Sequence, residues 1–219
     1  MTRKPSTPRA ILFDWDNTLV DNWEVIRQAM NATLEAFGKP AWSLEETRRR
    51  VARSARDGFP RLFGDRWQEA QTLFYERFTD RHLEGLRPIA GAEELLEESR
   101  NKGFWLAVVS NKRGDLLRAE AAHLGWTGYF GRIVGATDAA EDKPAVAPVE
   151  LALSGSGLSA GPRVWFVGDG AIDIECARNA GCVAILFNGL QLPAAERAAR
   201  RPDYCVESHR ELAALVRDL

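Results

Sequence analysis

The chain has 219 residues, 45% of them hydrophobic and 27% charged, which fits a globular protein with one large core, or a core and a smaller insert. A net charge of -2 at pH 7 and a pI near 6.0 give no reason to expect nucleic acid or a membrane surface as partner. No apolar run approaches the ~18 residues of a bilayer span, and "MTRKPSTPRA" leads into an apolar stretch too short for a signal-peptide core.

In chain order, the first strong signal is the run Ala10, Ile11, Leu12, Phe13, which fits a strand buried on both faces and ends at Asp14, with Asp16, Asn17 and Thr18 following. Burying an unpaired acid there costs several kcal/mol, roughly 2–7 even for a neutral polar group, so the pair calls for an explanation. A carboxylate that attacks phosphorus must stay ionised, which a neighbouring divalent cation secures. An acid one residue further on can protonate a leaving oxygen if its surroundings raise its pKa. The plain alternative is that both aspartates cap a turn, where Asn17 would tolerate left-handed angles.

From residue 22 to 87 the pattern is helical: "NWEVIRQAMNATLEAFG", "SLEETRRRVARSARDG" and "DRWQEAQTLFYERFTDRHLEG". This predicts a helical cap, 22–87, inserted into a core of 1–21 and 88–219, lying over the C-terminal strand ends and hinged near Asp21 and Arg87. Trp23, Trp42 and Trp67 are expected in core or interdomain packing.

Beyond the insert, "FWLAVVS", "RIVGA", "VWFVGD", "CVAILFN" and "DYCVES" read as further buried strands. They alternate with helical stretches such as "GAEELLEESRNKG", "GDLLRAEAAHLG", "PVELALSGSG" and "AIDIECARNAG", several ending in Gly. The alternation predicts an α/β fold with a doubly wound parallel sheet.

Three more polar stations fall on these strands. Ser110, with Asn111, offers a hydroxyl and backbone donors for a phosphoryl oxygen, although such pairs also begin ordinary loops. Lys143 in "EDKPAVAP" is a point charge suited to phosphate, or a solvated loop lysine. Pro148 there fits the first turn of a helix. Asp169 ends "VWFVGD" and pairs naturally with Asp14 as a source of hard oxygen ligands for Mg2+. Asp173 follows in the first turn of a helix, where the dipole favours it in any case. The three cysteines, Cys176, Cys182 and Cys205, lack metal spacing and read as reduced thiols of a cytoplasmic protein. His82, His123 and His209 show no spacing that implies chemistry.

In this order, "DWDNTLVD", "VVSN", "DKPAVAP" and "GDGAIDIECARNAG" resemble the motifs of the haloacid dehalogenase superfamily, specifically its phosphatases with a helical cap, including those similar to phosphoglycolate phosphatase. The resemblance implies Asp14 as nucleophile of an aspartyl-phosphate, Asp16 as general acid/base, and Mg2+ held by Asp14, Asp169, Asp173 and the carbonyl of Asp16. It implies that Ser110 and Asn111, with Thr18 and the amide of Trp15, hold the phosphoryl group while Lys143 neutralises charge. The Trp15 ring would then pack near the cap. By the same resemblance Arg56, with Arg53, would bind an anionic group of a small phosphorylated metabolite from a cap loop. That loop carries Ala52 and Ala55 where relatives have glycines; Asn17 replaces a commoner Gly, and Gly170 a commoner Thr or Ser.

Two further functions fit the same stations: a phosphomutase similar to β-phosphoglucomutase, and a non-catalytic binding module on this fold. Dehalogenation suits Asp16 and the acidic fourth motif poorly. Phosphonate cleavage would want a cap lysine, and the cap offers only Lys39.

Overall fold

A computed structural model describes residues 7–51, 53–189 and 194–218; Ala52, one of the expected glycine replacements, lies outside the described residues. The strands are β1 (Ala10–Phe13), β2 (Val20–Asp21), β3 (Arg87–Pro88), β4 (Trp105–Arg113), β5 (Arg132–Ala136), β6 (Val164–Gly168), β7 (Val183–Phe187) and β8 (Tyr204–Val206). Six of them form a parallel sheet in the order β5-β4-β1-β6-β7-β8. All six coincide with the apolar runs predicted from the sequence.

Side chains alternate along a strand, and here they feed two separate cores. Ile11, Phe13, Leu106, Val108, Trp165 and Val167 pack on one face. Leu12, Ala107, Val109, Val164, Phe166 and Leu186 pack on the other. The first face is covered by α6 (Ala92–Asn101), α7 (Gly114–His123) and α11 (His209–Arg217); the second by α8 (Ala147–Leu153) and α9 (Ala171–Asn179). A short α10 (Ala194–Arg200) precedes β8. Because both faces are covered, the central runs of the strands are apolar.

Between β2 and β3 the chain builds α1 (Trp23–Ala36), α2 (Leu44–Arg50), α3 (Ala55–Phe63), α4 (Trp67–Thr79) and α5 (His82–Gly85). These helices have their own core, with Trp23, Trp42, Phe59, Phe63, Phe74 and Phe78 at its centre and Trp67 packed against it. The stretch predicted as one helix from Ser43 is two. Ser43 starts α2 with a reciprocal capping box to Glu46, and Ser54 starts α3 after a break at Val51. Val20 and Asp21 pair antiparallel with Pro88 and Arg87, so the two connections to the helical insert form one narrow ribbon.

Candidate active site

The parallel strands all end on one side of the sheet, and the four polar stations meet there. Asp14 follows β1 directly, its N–H donating to the Val167 carbonyl of β6. Asn17 has φ 60°, the left-handed angle that Asn accepts most readily after Gly. Its side-chain amide donates to Asp169 Oδ2 at 2.6 Å. The replacement of the commoner glycine therefore adds a hydrogen bond to the acid at the end of β6.

Lys143 is almost fully buried, and its ammonium donates to Asp14 Oδ1 and to Asp173 Oδ1, each at 2.7 Å. Burial alone would lower its pKa, but the two carboxylates override that and hold it above the usual lysine range. The Asn111 side chain fastens the Lys143 loop, its Oδ1 accepting from Lys143 N at 3.0 Å and its Nδ2 donating to the Lys143 carbonyl. Ser110 sits within β4 and not at its end, because an irregularity in register between Val109 and Arg113 carries the strand onward.

Gly168 and Gly170 are explained by Asp173. A side chain on Gly168 would collide with the Asp173 carboxyl, and Gly170 donates its N–H to Asp173 Oδ2 at 2.9 Å. A Cβ at Gly170 would lie 3.0 Å from that same oxygen, so the missing hydroxyl goes with close packing of the loop on Asp173.

Carboxylate oxygens of Asp14, Asp169 and Asp173 lie within 4.8 Å of one another. Burial and the neighbouring acids push Asp169 up to about 7, and burial pushes Asp173 up to about 6. Three hard anionic donors held together at this cost fit a divalent cation.

A second charged cluster was not anticipated from the sequence. Lys112 Nζ donates to Asp16 Oδ1 at 2.8 Å and to both carboxylate oxygens of Glu120, at 2.8 and 2.6 Å. Glu120, with no exposed surface, also accepts from Trp15 Nε1 at 2.7 Å and Asn22 Nδ2 at 3.1 Å, and lies 2.9 Å from His82 Nδ1. The cluster joins the loop after β1 to both connections of the helical insert. Burial, offset by Lys112 and reinforced by Glu120, pushes Asp16 up to about 6. Glu120 stays below the usual range despite its burial, because Lys112, His82 and Trp15 favour its charged form. One signal was available: Glu120 falls on the helical stripe of Leu116, Leu117 and Ala121, an acid on an apolar face.

Three expected contacts do not form. Thr18 is fully buried away from the cleft, and its carbonyl accepts from His209 Nε2 at 2.8 Å. The Trp15 ring turns into the sheet core, edge-on to Trp126 at 5.9 Å, and not toward the cap. Arg56 pairs with the buried Asp142 at 2.7 Å, beside Lys143, and opens onto neighbouring surface grooves instead of the cleft. An inward-facing acid was close enough to take its charge. Arg53 does border the cleft, as does Arg48.

The raised acids give a test of the metal-free site. Asp16, Asp169 and Asp173 keep their protons in the folded chain to about pH 6–7, against 3.8 for the ordinary side chain. Folding therefore binds protons in that window, and stability falls as pH rises through it. The buried His209, its pKa lowered by desolvation, works in the opposite direction but is one group against three. In EDTA, the urea midpoint is expected to be lower at about pH 7.5 than at about pH 5.5; an equal or higher midpoint would contradict the shifts.

Residues 11–187 match the family model described as haloacid dehalogenase-like hydrolase. A phosphoglycolate phosphatase of Aquifex aeolicus is 31% identical over 174 residues, covering 79% of this chain and 81% of that protein. Pyrophosphatase PpaX of Bacillus velezensis is 28% identical, with 97% of each chain covered. Among solved structures, a hydrolase of the same superfamily from Ehrlichia chaffeensis superposes with a TM-score of 0.66 at 28% identity, over 97% of this chain and 98% of that one. A haloacid dehalogenase-like family protein of Streptococcus pneumoniae gives 0.82 at 22% identity, over 94% and 97%.

Proposed function

The chain belongs to the haloacid dehalogenase-like hydrolases, and from that premise we propose that it is a Mg2+-dependent phosphatase which hydrolyses a small phosphomonoester through an aspartyl-phosphate on Asp14. The observation that carries the reading is the placement of Asp14, Lys143, Asp169 and Asp173 around one point, with Asp16 and its raised pKa beside it.

In this reading Asp14 and Asp169 would hold Mg2+ through their carboxylates, with Asp173 and the Asp16 carbonyl as further protein donors. When bound, the ion neutralises charge on the phosphoryl oxygens and keeps Asp14 ionised. Ser110, the Asn111 amide and the Lys143 ammonium orient the phosphoryl group for attack by an Asp14 oxygen. The P–O bond to the alcohol breaks as the bond to Asp14 forms, and Asp16, protonated, gives its proton to the departing oxygen. Water then attacks phosphorus, Asp16 takes back a proton, and phosphate leaves with Asp14 restored. A pKa near 6 suits Asp16 to both transfers at neutral pH. Residues 22–87 act as a cap whose ribbon at Val20–Asp21 and Arg87–Pro88 is the natural hinge.

Phosphate release from a panel of small phosphomonoesters, with Mg2+ and with EDTA, tests this directly. Turnover that needs the metal supports it, and no release from any ester under either condition overturns it. Sugar phosphates isomerised without release would favour the mutase. The Asn17 amide makes a finer prediction, since it steadies Asp169 at 2.6 Å. Asn17→Gly keeps the backbone angle and removes the bond, so the Mg2+ concentration for half-maximal activity should rise about tenfold or more.

A further inference from the structure

A cavity of about 160 Å3 opens above Asp14 and Asp16 and runs into the helical insert. Its two ends differ in chemistry. The lower end holds Asp14, Asp16, Asp169 and Asp173, with Lys112 and Lys143 as its ammonium groups. Each lysine is already bonded to two carboxylates. Among the described residues, these two lysines are the ammonium groups at this end. The upper end is walled by Trp23, Ile26, Met30, Phe59, Phe74 and Phe78, from α1, α3 and α4.

Three arginines border the cavity as well. Arg113 is paired with Asp115 at 2.6 Å and lies 4.2 Å over the Tyr75 ring. Arg48 and Arg53 are exposed residues that also line the cavity. One polar atom of the wall lacks a partner: Trp23, 7% exposed, has a buried indole N–H with no acceptor among the described residues.

We propose that the substrate's alcohol portion is a small apolar body bearing an aromatic ring, inserted between α1, α3 and α4, where four of the six wall residues are themselves aromatic. The cavity of about 160 Å3 also has to hold the phosphoryl group over Asp14, so it bounds the whole substrate. The chemistry follows from the wall, where burying apolar surface of the substrate is favourable. This proposal rests on the phosphatase reading and narrows it to a substrate class.

The test compares three phosphate esters of primary alcohols, so that the bond broken stays alike: 2-phenylethyl phosphate, ethyl phosphate and 2-phosphoglycolate, with Mg2+ present. The expected kcat/KM for 2-phenylethyl phosphate is at least about tenfold above each of the others. Met30→Trp, which fills the space, should reduce that ratio at least about fivefold if the ring sits where proposed. The wild-type ratio decides the matter even if the variant fails to fold. Equal turnover of the three esters, or faster turnover of 2-phosphoglycolate, overturns the substrate class and leaves the phosphatase standing. No phosphate from these three, with release from another ester of the panel, overturns the substrate class alone.

Discussion

Asp14→Asn is expected to lower phosphate release by at least about a thousandfold, with the fold intact. Its carboxylate, at the end of β1, accepts from Lys143 at 2.7 Å, and in the proposed reaction it attacks phosphorus. An amide is nearly isosteric but neutral and far less nucleophilic. The same change removes one of the acids that push Asp169 upward, so the metal-free variant should melt no lower than the wild type in EDTA at neutral pH. Steady-state phosphate assays beside thermal melts separate the two effects. Residual turnover within tenfold of wild type would remove Asp14 from the role of nucleophile.

The largest effect on stability is expected from Glu120→Ala. Glu120 is fully buried and satisfies Lys112, Trp15 and Asn22 while lying 2.9 Å from His82 Nδ1. Alanine would leave those donors inside the protein with too few acceptors, a loss of about 3–5 kcal/mol by analogy with broken buried ion pairs. In a chain of this size the Tm should fall by roughly 6–20 °C. Activity should change as well, through Asp16. Glu120 is one of the charges that raise the Asp16 pKa, so its loss leaves Lys112 to hold Asp16 ionised. The basic limb of the kcat profile should then move to lower pH. Urea unfolding and a pH-rate profile measure the two consequences. A variant as stable as the wild type would show that the cluster is dispensable to the fold.

Local pattern carried much of this far. The strand after residue 9 was legible because a parallel strand covered on both faces must be apolar at each position, as Ala10 to Phe13 are. Asp14 and Asp169 were legible for the same reason, since a carboxylate interrupts such a run only where the strand ends. Asn17 was readable as a turn residue, and its φ of 60° agrees. Arg56 shows where the method stops. Its sequence neighbourhood suggested a contact with substrate, but the tertiary fold brings it to Asp142, a residue 86 positions away in the chain.

The sequence by itself determined the order of strands and helices, the helical insert after the first strand, and the acids and lysine that gather at the strand ends. The order of elements and the insert follow from periodicity and chain order, whereas the gathering of the acids and Lys143 was implied by the resemblance that their motifs carry. Only the tertiary structure decided that Lys112 would bridge Asp16 and Glu120, that the Trp15 ring would face Trp126, and that six apolar side chains of the insert would wall the cleft. Such contacts depend on the distance between elements remote in sequence. Packing sets that distance by shape and by the need to pair every buried charge, and no local pattern records it.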